Sequence, residues 1–235
     1  VVYVLLKQVF RHYKIQKREV KRKAIHNEIR YSVLTGLIAG LFGMLVVTMK
    51  KLGLTQIYLD LDAYGYAWLV LSLPVLFVLH DAYFYWMHRL SHHKRIYRTV
   101  HEVHHRSHNP TPWAAYSFHP LETAWELGFI PLVVMLLPIH PLVLLPFIIG
   151  STAFNIMGHL GYEFLPKGWV HHPVLKYINT STHHNLHHTK YRGNYSLYFN
   201  WWDRWCGTQF AQYEATFDKV KAQAAAGKAQ PAATP

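Results

Sequence analysis

A single cysteine, Cys206, stands among 235 residues, which excludes an internal disulfide and any thiolate metal cage. Acidic side chains are scarce too, 12 Asp+Glu against 24 Lys+Arg, and charged residues make up only 15% of the chain, well below the roughly 25% of soluble globular proteins. With 51% hydrophobic and 15% aromatic residues, most of the chain is too apolar for intrinsic disorder and an awkward fit to an ordinary cytosolic domain. Any metal must be held by imidazole and carboxylate. Imidazole is what the sequence has in excess, with 19 His.

The formal charge of +12 is concentrated rather than spread. Residues 7 to 30 carry nine Lys/Arg and two Glu, and the 18 residues from Ser32 to Met49 carry no charge. A basic block against such a run marks a membrane boundary; a solvated basic helix or nucleic-acid arm before a buried core helix is the alternative. Tyr66 to Met87 is a second run, interrupted only by His80 and Asp81. Leu121 to Leu160 is a third, long enough at about 1.5 Å per residue to cross a roughly 30 Å hydrocarbon core twice. Pro138-Ile139-His140-Pro141 breaks it midway. Four spans are therefore predicted, at about 32–49, 66–87, 121–138 and 142–160. A shallow re-entrant hairpin is the alternative for the last pair, because Glu122 and Glu126 are costly near mid-bilayer.

The Lys/Arg bias places the N-terminus, the 88–120 loop and the C-terminal region on the cytoplasmic side. The expected fold is an all-α integral membrane protein of about four transmembrane helices in two hairpins, capped by a cytoplasmic helical region. Residues 1–31 form its basic N-terminal segment and 32–215 its membrane domain. Residues 216–235, rich in Ala and Gln, are expected to be a disordered tail. Nucleic acid is not an expected partner, since no recognition motif accompanies the charge.

His12, His26 and His140 are isolated; the other histidines concentrate at 80–119 and 159–188, regions predicted to share one side of the membrane. His88 and His92 are i and i+4. His101, His104 and His105 are i, i+3 and i+4, and His184, His187 and His188 repeat that spacing, so each set lies on one helix face. Three such faces converging in a bundle supply eight imidazoles, about what two four- to six-coordinate ions require. His159, at the end of the fourth span, is a ninth candidate. His93 and His183 point away from these faces, and His108, His119, His171 and His172 have no partner at helical spacing. Neutral imidazoles leave the charge of two divalent ions uncancelled, so carboxylates that fix the ring tautomers are sought nearby. Asp81, seven residues before His88, is the favoured one, with Glu102, Glu122 and Asp203 behind it; surface and capping roles fit these residues as well.

HRLSH (88–92), HEVHH (101–105) and HNLHH (184–188) resemble the histidine boxes of the fatty acid hydroxylase and sterol desaturase superfamily. The connecting residues resemble it too: Asp81 to Arg89 at the entry to the first box, Phe118-His-Pro-Leu-Glu122 after the second, and Asn194-Tyr195, Trp202-Asp203-Arg204 and Gly207-Thr208 at the end. The resemblance implies a membrane non-haem di-iron enzyme that uses O2 and two electrons to hydroxylate or desaturate a lipid. Its iron ligands would be His88, His92, His101, His104, His105, His184, His187 and His188, with His159 matching a fourth-helix histidine. Zinc could replace iron in purified material, since imidazole suits both. The stretch from Gly193 to Thr208 looks closest to the sterol C5-desaturase branch and its bacterial relatives, departing at Ser196 and Cys206. A sterol or related lipid is thus the expected substrate, and fatty-acyl or alkylglycerol hydroxylation the alternative.

Electrons are expected from a separate donor, cytochrome b5-like or a ferredoxin/reductase pair, because the roughly 75 residues after the last span leave no room for a haem or flavin domain. Arg89, Arg95 and Arg98 offer an acidic donor a docking face. Trp113, Tyr116, Phe118, Tyr198, Phe199, Trp201 and Trp202 fit either a substrate entrance or an interfacial aromatic belt. One rival motif remains: His101-Glu102-x-x-His105 also satisfies the HExxH pattern of zinc hydrolases, with Glu102 as general base. It leaves His88, His92 and the third box without a role. A metal conduit would need ionisable groups along the spans, and only His80, Asp81, Glu122, Glu126 and His159 approach them.

Overall fold

Helix α1 (Arg22–Lys51) starts inside the basic block and carries the uncharged 32–49 run without a break. At 30 residues it is about 45 Å long. The chain is seen here in a computed structural model that describes residues 10–229. Helix α2 (Gly65–Ser91) follows, then four short helices: α3 (Tyr97–Val100), α4 (Glu102–His105), α5 (Pro120–Leu127) and α6 (Phe129–Leu136). Helices α7 (Pro141–His159), α8 (Ser181–Lys190), α9 (Trp201–Trp205) and α10 (Tyr213–Ala229) complete the order. The described residues form no strand, only isolated bridges such as Ile178 to Phe199.

Three helices, α1, α2 and α7, are long and apolar enough to cross a membrane. Large apolar side chains on their outer faces, Leu37, Val70 and Leu142 among them, are more than 60% exposed. Such a surface is a liability in water and ordinary in lipid. Inside, Leu76, Phe129, Val133, Val134, Ile139, Val143 and Phe147 form a core in which α2, α6 and α7 meet. Shape and dispersion hold such a core together in a bilayer, where lipid tails are as apolar as leucine.

The predicted span at 121–138 is not one helix. It is divided between α5 and α6 at Gly128. Pro131 lacks the N–H that the Leu127 carbonyl would receive, and its ring crowds that carbonyl. The Tyr83 hydroxyl meanwhile donates to the carbonyl of Trp125. The first part of the segment, α5, reaches the histidine region through Glu122, while α6 lies in the apolar core. Two histidines outside the boxes build this part of the fold: the Nδ1 atoms of His119 and His140 accept the amides of Leu121 and Leu142 at 3.3 and 3.0 Å, ahead of Pro120 and Pro141. Pro is suited to the first helical position because its missing N–H would be unpaired there.

The second correction concerns the tail. From Tyr213 the chain is helical to Ala229, inside the stretch expected to be disordered; residues 230–235 lie outside the described residues. Phe217, Val220 and Ala224 recur at helical spacing and are buried, with Tyr213 and Phe217 packing on Val170 and Leu186. Ala-rich sequence is strongly helix-forming, and this stripe gives the helix a face to bury.

Candidate metal centre

Nine histidines gather at one end of the long helices. His88 comes from the last turn of α2 and His92 caps its C-terminus. His101 joins α3 to α4 at φ −115° and ψ −11°, and His104 and His105 lie on α4. His159 ends α7. His184, His187 and His188 line α8, whose N-terminus is capped by the Thr180 hydroxyl accepting from the His183 amide at 3.2 Å. The second box is therefore broken at His101 rather than one continuous helix. Ser181 through His188 are all buried, a burial that a helix this polar tolerates only with internal partners.

The imidazoles divide into two groups. His88, His92, His101, His105 and His187 form one, His104, His159, His184 and His188 the other, and within each the candidate ligand atoms all lie within 4.8 Å of one another. In the first, Nε2 to Nε2 separations are 3.0 Å for His88 and His101, 3.2 Å for His92 and His187 and 3.1 Å for His92 and His105. In the second, His159 Nε2 lies 3.3, 2.9 and 3.2 Å from those of His104, His184 and His188. The groups adjoin: the rings of His101 and His104 stack at 5.2 Å between centroids.

The supports behind the rings fix what these atoms are. His88 Nδ1–H donates to the carbonyl of Tyr195 at 2.7 Å, His187 to that of Gly193 at 2.7 Å and His159 to that of Asn155 at 2.7 Å. His101 Nδ1 is bonded to the Glu122 carboxylate. In these four rings Nδ1 is the protonated nitrogen and Nε2 presents a bare lone pair, at the His88–His101 pair from both sides; Nδ1 of His104, His105 and His188 has no partner among the described residues. Lone pairs facing one another at 3 Å repel; a cation among them removes the conflict. Metal–nitrogen bonds of about 2.0–2.1 Å give ligand-to-ligand edges of about 2.9–3.4 Å, depending on whether the geometry is octahedral or tetrahedral. The observed separations fall in that interval. An all-imidazole donor set suits iron, zinc, copper or nickel and is wrong for magnesium or calcium.

Burial keeps the rings in the ligand form. It pushes His92 down to about 2, with the neighbouring His88 adding to the effect. It holds His101, His104, His105, His184, His187 and His188 well below the ordinary imidazole value, their mutual proximity again contributing.

The carboxylates are placed differently from the sequence expectation. Asp81, the favoured partner of His88, instead accepts the amides of Tyr198 and Phe199 at 2.8 and 3.2 Å. Asp203 accepts the amides of Tyr195 and Ser196, both at 2.9 Å, and the Thr208 hydroxyl at 2.7 Å. Both act on backbone segments beside the rings, and Asp203 holds the segment whose carbonyl receives His88. Glu102 is half-exposed and pairs with exposed Arg106 at 3.2 Å. Of the four, Glu122 alone touches a box histidine.

Three supports had no residue-type signal, because they are main-chain carbonyls of Tyr195, Gly193 and Asn155. At Gly193 the sequence does hold a clue. Its φ is +149°, and a Cβ there would stand 2.6 Å from the Thr208 carbonyl oxygen, so only glycine brings its own carbonyl to His187. Glu163 was also missed: it accepts the Thr182 amide and hydroxyl at 2.9 and 2.7 Å and fixes the start of α8.

On the membrane side of the rings a cavity of about 110 Å³ opens among the long helices. Phe84 and Phe118 form its inner end, their rings 5.1 Å from His88 and 5.0 Å from His104, and Asn155 completes it. Of the aromatic residues expected at an entrance, Tyr116 and Phe118 line this cavity, while Phe199 and Trp201 line a separate surface groove with Trp205.

The fatty acid hydroxylase family profile matches residues 73–208, which hold all nine histidines. The chain is 30% identical over 209 residues to the Delta(7)-sterol 5(6)-desaturase ERG3B of Gibberella zeae, covering 89% of this chain and 62% of that protein. It is 37% identical over 145 residues to methylsterol monooxygenase 1 of Rattus norvegicus, covering 61% and 48%, and 28% identical over 199 residues to lathosterol oxidase of Homo sapiens, covering 83% and 64%. The chain thus spans about half to under two thirds of the length of these relatives. No solved structure matches it.

Proposed function

Because the chain belongs to the fatty acid hydroxylase family, a family of membrane lipid oxidoreductases, we propose that it holds two iron ions and uses O2 and two electrons to desaturate or hydroxylate a lipid C–H bond. A sterol or related lipid is the proposed substrate, in keeping with the relatives' names. The observation that carries this reading is the convergence of nine imidazoles, eight buried and His92 partly so, into two clusters against a cavity between membrane helices.

One ion would be held by His88, His92, His101, His105 and His187, the other by His104, His159, His184 and His188. Bound iron would supply the oxidising power toward an unactivated C–H bond that no side chain possesses. The chain's own residues do the rest. Glu122 and the carbonyls of Tyr195, Gly193 and Asn155 hold their rings in one tautomer and one orientation. Phe84 and Phe118 present an apolar wall that keeps water from the cavity's inner end and steers a lipid toward the rings. Whether oxygen is added or a second hydrogen lost depends on placement finer than an ångström or so, which the same wall sets.

Exposed Arg95 and Arg98 flank Tyr97 in sequence, its ring 5.6 Å from that of His92 and 5.9 Å from that of His105, and exposed Arg89 bonds the Tyr85 hydroxyl at 3.2 Å one turn from His92. That basic face is the proposed dock for an acidic electron donor, a cytochrome b5-like protein or a ferredoxin with its reductase. It faces the cytoplasm in the proposed orientation, as do both termini. The zinc hydrolase reading weakens here, because Glu102 is at the surface against Arg106 rather than among the imidazoles.

The test is mass spectrometry of sterols and acyl lipids from membranes containing the protein, O2 and a reductase system, against a His104→Ala control. A histidine-dependent product two hydrogens lighter establishes desaturation, and one oxygen heavier establishes hydroxylation. No product across the panel, with two iron ions per chain measured, refutes the proposal.

A further inference from the structure

The membrane cavity carries polar groups that its apolar walls do not need. All but two of them are paired within the protein. Tyr116 and Thr152 share a hydrogen bond of 2.8 Å, Thr35 and Thr123 one of 3.1 Å. Ser151 donates to the Ile148 carbonyl at 3.0 Å and Asn155 to the Ala115 carbonyl at 2.7 Å. Glu126 also lines the cavity and has no hydrogen bond or ion pair with any described residue. His80 gives its Nδ1 to the Tyr198 hydroxyl at 2.7 Å, while its Nε2 has no partner among the described residues. The His80 ring is enclosed by Phe84, Phe129, Phe147 and Tyr198. A carboxyl and an imidazole nitrogen left unpaired at membrane depth are costly, and such groups are kept for a ligand or a path.

We infer that Glu126 and His80 are a polar anchor for one hydroxyl group on an otherwise apolar lipid, and so determine which lipids the site accepts and which carbon is presented to the histidines. A hydroxyl both donates and accepts, so one group satisfies both orphans at once. A bare hydrocarbon would leave both orphans unpaired.

The position of the anchor gives it a reach. Glu126 lies one turn beyond Glu122 on α5, about 6 Å along the axis, and Glu122 bonds His101. His80 lies eight residues before His88 on α2, about 12 Å along the axis. An anchored hydroxyl therefore sets carbons only a few bonds away against Phe84 and Phe118, at the ring end of the cavity. The 110 Å³ of the cavity accommodates that end of a lipid and leaves the remainder among the helices. The inference rests on the proposed lipid chemistry, but its test does not.

The experiment measures binding to the purified full chain in phosphatidylcholine nanodiscs, with the fluorescent sterol alcohol dehydroergosterol as probe and energy transfer from tryptophan as signal. Competitors are cholesterol and its 3-methyl ether, and 1-octadecanol and its methyl ether. At least one alcohol is expected to displace the probe about tenfold or more better than its own ether, the size of effect that an unpaired buried donor and acceptor produce. Which of the two does so identifies a sterol or a straight-chain skeleton. Glu126→Leu and His80→Leu should each shrink that preference to less than about threefold at unchanged metal content, and Glu126→Gln should keep it.

Equal displacement by alcohol and ether in the wild type overturns the inference, as does the absence of saturable probe binding. Alcohol selectivity without any oxidised product would sink the oxygenase proposal and leave the anchor standing. Oxidised product without alcohol selectivity would do the reverse.

Discussion

Replacing Glu122 probes the centre at its one carboxylate contact. Glu122 is buried, and one of its oxygens is bonded to His101 Nδ1, which fixes that ring as a donor on one side and a ligand on the other. In Glu122→Ala the Nδ1–H is left in a dry site without an acceptor, a penalty of about 1–3 kcal/mol. Loss of an outer carboxylate behind a ligating histidine typically weakens metal binding about 10- to 100-fold, or about 1.4–2.7 kcal/mol, so two independent routes give one magnitude. The loss should be confined to the five-histidine group, because the supports of the other group are the Asn155 carbonyl behind His159 and the packing of α4 against α8. Metal per chain, measured by mass spectrometry after dialysis against graded chelator, should fall from two to one in Glu122→Ala at chelator levels the wild type withstands. Glu122→Gln should lose about tenfold or less, since its amide oxygen still accepts from His101. His188→Ala should empty the other group instead. Retention of both ions by Glu122→Ala with an unchanged chelator midpoint would refute this account of how the ring is held.

Four further outcomes are expected. Asp203→Asn replaces an acceptor of three hydrogen bonds at a fully buried position; unfolding measured by heat or denaturant should show a loss of about 2–4 kcal/mol, with weaker metal retention because the Tyr195 carbonyl behind His88 is released. Phe217→Ala should cost about 3–5 kcal/mol and open 213–229 to protease, whereas a disordered tail would give no change in either measurement. Glu102→Gln should leave turnover within about twofold of wild type, because its carboxylate reaches only Arg106; loss of all activity with metals in place would revive the hydrolase. Chelation should lower the thermal midpoint by about 10–20 °C, since two ions each at a hundredfold excess over Kd supply about 5 kcal/mol together.

The histidine clusters were legible because metal binding demands residue types that can be read and because helix geometry converts i, i+3 and i+4 into one face. All nine were named from spacing and resemblance, and all nine converge. Their supports were legible only where a side chain provides them. Glu122 stood among four carboxylates that sequence distance could not rank: Asp81 shares the helix of His88 but turns to the 198–199 backbone, while Glu122 reaches His101 across 21 residues and a change of helix. The other supports are carbonyls, which every residue possesses, so only a forced conformation such as that of Gly193 could have marked one.

The division of the 121–138 segment has its own physical source. Hydrophobicity reports which residues avoid water and is silent on how the chain bends inside the apolar region. The 121–138 run is uniformly apolar past Glu126, yet Pro131 and the Tyr83 hydroxyl on the Trp125 carbonyl divide it. Pro74 and Pro146 sit inside unbroken helices, so proline alone does not decide; at Trp125 a hydroxyl also competes for the carbonyl. On α5, Glu122 stands against His101 and Glu126, one turn away, lines the cavity wall. The two acidic residues that looked too costly for a membrane helix are thus the two that face the candidate site, one bonded to a box histidine and the other placed for the proposed lipid hydroxyl.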